Sequence, residues 1–297
     1  MYTRRAGAAT AATPMFTPHH TPPDPGPDTR SPAPPAPPAP PAAAPSVTVV
    51  IPARNEARNL PGLLAELPAG LHEVILVDGA SVDGTIAAAR RARPDILVLR
   101  QTGDGKGNAL ACGILAATGE ITVTLDADGS ADPAEIADFV TALQAGADFV
   151  KGSRYLPGGG SSDLTVLRRA GNGALVFLMN RLYRTAFSDL CYGYNAFWTR
   201  CAADLELEPI AAPEPRFGDG FEIETMLAAH AANARLTVAE VPSYERDRGY
   251  GESHLKTWRD GRRVLRAILR ERLRAPARPA RTRPARPCPE PRTVSKP

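Results

Sequence analysis

The chain has 297 residues with 35 Lys and Arg against 32 Asp and Glu, a formal net charge of +3 that says little alone because the basic excess gathers near the C-terminus; nucleic acid is not expected as a partner. No apolar run approaches the roughly 20 residues of a membrane span, and the opening MYTRRAGAAT has arginines without the apolar core of a signal peptide, so a cytoplasmic protein, or one peripheral on the inner face of a membrane, is expected. The four cysteines, Cys112, Cys191, Cys201 and Cys288, show no paired metal-site spacing and fit a reducing compartment.

In chain order, the first feature is a proline-rich arm. Of 31 prolines, 14 fall in residues 1–45 and 7 in residues 275–297. SPAPPAPPAPPAAAPS offers almost nothing bulky to bury and is expected to be a solvated polyproline-type extension. The expected organisation is a disordered Pro/Ala-rich arm at 1–45, a folded domain at 46–274 and a disordered basic Pro/Arg-rich tail at 275–297. Removing residues 1–44 is therefore expected to leave activity and melting temperature almost unchanged, and a drop of many degrees would show that the arm docks on the domain.

Within the domain, VTVVI (47–51), EVILV (73–77), DILVL (95–99), ITVTL (121–125) and DFVKG (148–152) read as strands buried on both faces. Between them Leu60, Leu63, Leu64 and Leu67 recur at helical spacing. So do Ile86, Ala89 and Arg90; Leu110, Ile114 and Leu115; and Ile136, Phe139, Val140 and Leu143. This alternation predicts right-handed crossovers and a parallel sheet, with ligands beyond the carboxyl ends of the strands.

The loops at those ends carry unusual residues. Pro52 should end the first ladder, with Asn55 and Glu56 before a helix. Asp78 stands at the second strand's tip, where a carboxylate can accept hydrogen bonds from a nucleobase or ribose, and Asp83 reads as a helix N-cap or a ligand. GDGKGNAL (103–110) is not a phosphate loop, since Gly107 follows Lys106 where Ser or Thr is required; Lys106 either meets a phosphate at a helix start or is a solvated lysine. In VTLDADGSADP, Asp126 and Asp128 are i and i+2 of an extended segment and face one site. Two like charges so close call for a cation, and hard oxygen ligands suit Mg²⁺ or Mn²⁺ on a diphosphate. Asp132 before Pro133 reads as a cap.

These stretches together resemble a known family. VVIPARNEARNL, ILVDGASVDGT, GKGNAL, VTLDADGSADP and VKGSRY are similar to the successive motifs of the family 2 inverting glycosyltransferases, which have the GT-A fold, an α/β (Rossmann-like) fold with a mostly parallel central sheet flanked by helices. SDLCYGYNAFW, GFEIE and EVPSYERDRGYGESHLK resemble the second half of the dolichol-phosphate mannose synthase branch, whose enzymes move a sugar from a nucleotide to a polyprenyl phosphate. The resemblance implies a nucleotide-sugar site from Pro52, Ala53, Glu56, Asp78, Lys106 and Asp126, and a metal site at Asp126 and Asp128, with Ser130 standing in if a third side chain reaches the metal. It implies that Arg154, Arg248 and Ser253 or Lys256 serve the phosphates of donor and acceptor.

A phosphate acceptor is already anionic and needs positioning by arginines more than a base, whereas a hydroxyl acceptor needs one. Candidates for that base are Asp189, Glu222 and Glu224; the resemblance favours Glu224, and Asp189 is either catalytic or a cap or buried ion-pair partner. Three readings stay open: a polyprenyl-phosphate glycosyltransferase, a transferase of the same fold acting on a soluble hydroxyl acceptor, and an interaction protein that only senses a nucleotide sugar. Finally, Leu255, Trp258, Leu265, Ile268, Leu269 and Leu273 recur on one helical face of residues 255–274, with Arg259, Arg262, Arg263, Arg266, Arg270, Arg272 and Arg274 over much of the rest. That is the pattern of a helix on an anionic membrane surface, or of one that packs on the domain with its arginines solvated.

Overall fold

A computed structural model describes residues 44–162, 164–251 and 257–274, the last segment with side chains from Arg259 onward. Ser253, Leu255, Lys256 and the side chain of Trp258 lie outside the described residues, as do residues 1–43 and 275–297.

The first half alternates strand and helix: β1 (Val47–Ala53), α1 (Leu60–Glu66), β2 (Glu73–Asp78), α2 (Thr85–Ala92), β3 (Leu97–Arg100), α3 (Gly105–Ala116), β4 (Ile121–Thr124), α4 (Ile136–Gln144) and β5 (Phe149–Ser153). The second half is less regular: β6 (Gly160–Ser161), α5 (Val166–Tyr183), β7 (Asn195–Trp198), α6 (Ile223–Asn233), β8 (Val238–Pro242), β9 (Tyr244–Glu245) and α7 (Thr257–Arg274). Seven strands form one sheet in the order β3-β2-β1-β4-β7-β5-β8, while β6 and β9 pair separately. All neighbours in the large sheet are parallel except β7, which runs against both β4 and β5. The expected mostly parallel α/β sheet is thus present. Successive residues of a strand point to opposite faces. Val49, Ile51, Leu76 and Val123 pack with α1 and α4, and Val50, Ile75 and Val77 pack with α3 and α6.

Three expectations are corrected. Pro52 does not end the ladder: β1 stays paired with β2 through Ala53–Asp78, and only the pairing with β4 stops, at Val50. The missing N–H of Pro52 falls where no β4 acceptor stands. DILVL is not buried on both faces, because β3 is the sheet's edge and Leu97 is 42% exposed. The apolar residues of α7 do not form one face. Val264, Ala267 and Ile268 are buried against the domain, Val264 and Ile268 with Met179, Phe187, Ala228 and Ala229, whereas Leu265, Leu269 and Leu273 point outward.

A buried pair fastens α7 to α6. His230 Nδ1 lies 2.6 Å from the Leu205 carbonyl and Nε2 3.2 Å from Glu271 Oε2, so both ring nitrogens face acceptors, an arrangement that the imidazolium satisfies. Burial pulls the imidazole pKa down, but the bonds to Glu271 and Leu205 outweigh it and the net shift is upward from 6.5. Burial pushes Glu271 up, and His230 with Arg274 and Arg270 outweighs that, leaving it below 4.5. The raised histidine contributes stability that is complete below 6.5 and lost as pH rises; the depressed glutamate contributes stability present above 4.5 and lost as pH falls. The melting-temperature gap between wild type and His230→Gln should therefore be widest between those values and shrink toward pH 8. A gap that stays constant over this range would show that the pair carries no charge.

Candidate functional site

The carboxyl ends of β1 and β4 and the start of α3 open into a cavity of about 590 Å³, whose walls include Pro52, Ala53, Glu56, Lys106, Asp126, Asp128 and Arg248. The loop after β1 is clamped onto the loop after β2. Asn55, in the left-handed region at φ 59°, accepts from Val82 N at 2.9 Å, and Asn55 N donates to Ser81 Oγ at 2.9 Å. Asp83 accepts from Thr85 N at the start of α2 and from Ala57 N, both at 3.0 Å, and so ties the two loops together; it is not the expected N-cap, since Gly84, in the left-handed region at φ 90°, holds that position. Asp132 does cap, accepting from Ala134 N. Asp78 is buried beside Ala53 rather than in the cavity wall; Oδ2 accepts from Ser81 N at 3.3 Å and Oδ1 has no hydrogen-bond partner among the described residues.

Lys106 is set by glycines. The first turn of α3 lies against the 217–220 segment, where Gly107 N donates to the Asp219 carbonyl at 2.7 Å and a Cβ on Gly107 would fall 1.7 Å from the Gly218 carbonyl oxygen. That packing brings the ammonium to three carboxylate oxygens: Asp126 Oδ1 at 2.7 Å and Oδ2 at 2.9 Å, and Glu224 Oε1 at 3.0 Å. Gly193 leaves room for the cluster, since a Cβ there would lie 2.7 Å from Lys106 Nζ and 3.0 Å from Asp126 Oδ2. Burial pulls the lysine pKa down, but Asp126 and Glu224 outweigh it and hold it above its usual value. Lys106 is therefore a charged, ion-paired lysine rather than a solvated one.

Glu224 is buried, and its Oε2 accepts from Asn195 Nδ2 at 2.8 Å. Asn195 Oδ1 accepts in turn from the wholly buried Lys151 Nζ at 3.3 Å, whose pKa burial drives down. Glu222, two residues before Glu224, points elsewhere and holds Arg263 at 2.7 Å, so only one of the two glutamates reaches the Asp126 cluster.

Asp128 Oδ1 accepts from Ser130 N at 3.0 Å, and Oδ2 lies 3.7 Å from Arg248 Nε. Arg248 also donates to Glu56, whose carboxyl burial raises in spite of Asn59 and that arginine. Both aspartates open on the cavity, their side chains 34% and 24% exposed. No group of three metal-ligating side chains occurs among the described residues. Two carboxylates with space beside them for phosphate oxygens and water fit the demands of Mg²⁺ or Mn²⁺, which take few protein ligands at such sites.

A second cavity, about 220 Å³, shares Lys106, Asp126, Asp128 and Phe221 with the first and runs between α5 and α7. Leu164, Leu167, Leu175 and Val264 line it, with Arg154, Ser130 and Tyr192 toward the aspartates. Arg154 is held there by Asp189, donating from Nε at 2.7 Å and Nη2 at 3.0 Å, and by Glu245 at 2.9 Å, with its guanidinium 5.0 Å from the centre of the Tyr192 ring. Asp189 is fully buried and both its oxygens are occupied; it positions Arg154 and lines neither cavity. Its expected alternative as a catalytic base is not what the geometry provides.

Sequence reasoning assigned no role to Gln101, Phe221, Gly193 and Asn195, and it placed Arg259 only on the basic face of the last helix. Gln101, Phe221 and Arg259 line the first cavity, and Gly193 and Asn195 lie within YGYNAFW, a stretch noted only for its resemblance.

The model of glycosyl transferase family 2 matches residues 48–203, more than half of the chain. The chain belongs to glycosyl transferase family 2. This family member is 32% identical over 221 residues, 70% of the chain and 80% of the relative, to the polyprenol monophosphomannose synthase of Mycolicibacterium smegmatis. It is 41% identical over 112 residues to an uncharacterized glycosyltransferase of Mycobacterium tuberculosis, a match of 38% of the chain that spans half the length of that relative. Among solved structures, glucosyl-3-phosphoglycerate synthase of M. tuberculosis, in complex with Mn²⁺, UDP and phosphoglyceric acid, superposes with a TM-score of 0.60 at 21% identity, over 77% of this chain and 78% of that one. At that identity the likeness shows the fold, which is the GT-A arrangement expected from the motifs. The family match ends before Glu224 and Arg248, so their place at the site rests on this chain's own geometry.

Proposed function

We propose that the chain transfers a sugar from a UDP- or GDP-sugar to a polyprenyl phosphate with inversion, as a metal-dependent hexosyltransferase. The observation that carries this reading is the pair of cavities meeting at Lys106, Asp126 and Asp128, one beneath the strand ends and one that extends from the aspartates to Leu164, Leu167, Leu175 and Val264. The first cavity suits the nucleotide sugar, with Pro52, Ala53, Glu56 and Lys106 in its wall, whereas Asp78 lies buried behind Ala53 and does not line it. Asp126 and Asp128 would hold Mg²⁺ or Mn²⁺, which supplies Lewis-acid stabilisation of the departing diphosphate. Lys106 and Arg248 add positive charge on the same side. The apolar end of the second cavity, at Leu164, Leu167, Leu175 and Val264, suits an isoprenoid end, with Arg154 fixing the acceptor phosphate.

The hydroxyl-acceptor alternative is weaker, because it needs a base and the candidates are engaged: Asp189 by Arg154, Glu224 by Lys106 and Asn195, Glu222 by Arg263. The mannose-synthase name of the M. smegmatis relative also supports a lipid phosphate. With no helix among the described residues long and apolar enough to cross a membrane, contact with the lipid would be peripheral. The test is incubation with labelled UDP-glucose or GDP-mannose, Mn²⁺ and a polyprenyl phosphate, followed by organic extraction. Label in the organic phase is expected; label transferred only to water-soluble hydroxyl compounds would reverse the choice of acceptor.

A further inference from the structure

α7 has three distinct faces. Val264, Ala267, Ile268 and Glu271 are buried against the domain. Leu265, Leu269 and Leu273, at i, i+4 and i+8, form an outward row exposed by 39%, 44% and 87%. Beside that row, Arg259, Arg262, Arg263 and Arg266 line a groove of about 560 Å³ whose remaining wall is Phe217, and Arg270 lies 4.6 Å from the centre of the Phe217 ring.

The arginines are poorly neutralised. Arg263 meets Glu222 at 2.7 Å and Arg259 approaches Asp260 only to 4.0 Å, while Arg262 and Arg266 make no ion pair among the described residues. With Arg263 held by Glu222, it is Arg259, Arg262 and Arg266 that leave surplus positive charge around one open groove, and their forked donors match phosphate oxygens.

We propose that this groove binds the phosphate groups of an anionic bilayer while Leu265, Leu269 and Leu273 seat in its interfacial layer. A free phosphate ion would account for the arginines but leave the leucine row unexplained, and an apolar protein partner would account for the leucines but not for the surplus of positive charge. An anionic lipid surface answers both. The choice of a lipid surface rests on the lipid-acceptor reading. Asp260, Gly261 and Val264 of the same helix wall the second cavity, so docking by α7 brings that cavity to the membrane.

The experiment is flotation of the full chain with vesicles of equal parts phosphatidylcholine and phosphatidylglycerol, against vesicles of phosphatidylcholine alone. Wild type should float with the anionic vesicles at low salt, stay behind with the neutral ones and be released at high salt. Arg262→Gln with Arg266→Gln should reduce partitioning roughly 30-fold, equivalent to about 1 kcal/mol for each arginine, with an unchanged melting temperature. Leu265→Ser with Leu269→Ser should also weaken flotation. Absence of flotation by wild type, or flotation of the double arginine variant at the wild-type level, would overturn the proposal. So would calorimetric binding of inorganic phosphate that depends on Arg262 and Arg266 in a protein that does not float. A water-soluble, short-chain prenyl phosphate separates this result from the proposed activity. Glycosylation of that acceptor without flotation sinks the docking alone, and flotation without any lipid-phosphate product sinks the acceptor assignment alone.

Discussion

Asp128→Asn is expected to lower sugar transfer by about two to three orders of magnitude, the rate equivalent of losing roughly 3–4 kcal/mol of stabilisation of the departing diphosphate. Asparagine keeps the size of the side chain and an oxygen for the Ser130 N–H that now bonds Oδ1 at 3.0 Å, so the loop after β4 should keep its shape. What disappears is a negative charge. Asp126 already has both oxygens on the Lys106 ammonium, whereas Asp128 faces a cation only at 3.7 Å, through Arg248. Asp128 therefore has more of its charge free for a metal, and its loss should hurt more than the geometry of one carboxylate suggests. The check is turnover and Mn²⁺ titration side by side, with circular dichroism to confirm folding. Near-normal turnover with an unchanged Mn²⁺ requirement would remove Asp128 from the metal site.

Much of this arrangement could be read from the chain because its signals are local. The apolar runs VTVVI and EVILV announce buried strands, and a pair of aspartates closing ITVTL marks a loop at a strand's carboxyl end. The remainder depends on contacts between distant residues. DILVL looks like its neighbours, and only the strand order makes β3 an edge. Asn195–Trp198 is four residues with an asparagine at its head, too short to announce the antiparallel strand that carries Asn195 to Glu224. On α7, Ile268 and Leu265 both lie within the apolar arc that periodicity allows, and packing on α5 and α6 selects Val264 and Ile268 for burial. The partner of Lys106 was hidden for a similar reason: Asp126 is 20 residues away and Glu224 lies on α6. The role of Asp189 could not be decided between a base and an ion-pair partner without Arg154, 35 residues before it.

That last case supplies the sharpest contrast with Asp128. Asp189→Ala should act first on stability. It removes the carboxylate that accepts from Nε and Nη2 of Arg154 at 2.7 and 3.0 Å and from Cys191 N at 3.1 Å. Breaking one side of a buried ion pair typically costs about 3–5 kcal/mol, because the surviving charge stays buried without its partner. Glu245, 2.9 Å from Nη1, would still meet part of the charge, so the lower end, about 3 kcal/mol, is expected. For a domain of this size that corresponds to a fall in melting temperature of about 6–12 °C. The reverse exchange, Arg154→Ala, strands Asp189 and should cost a similar amount, while Arg154→Ala with Asp189→Ala should cost much less than the sum of the two. Activity of the Asp189→Ala protein, measured well below its melting temperature, should change mainly through the KM for the acceptor, since Arg154 lines the second cavity, proposed above to take the acceptor, and Asp189 does not. Were Asp189 instead a proton acceptor in the reaction, the variant would lose kcat with the acceptor KM little changed, and that result would overturn the positioning role.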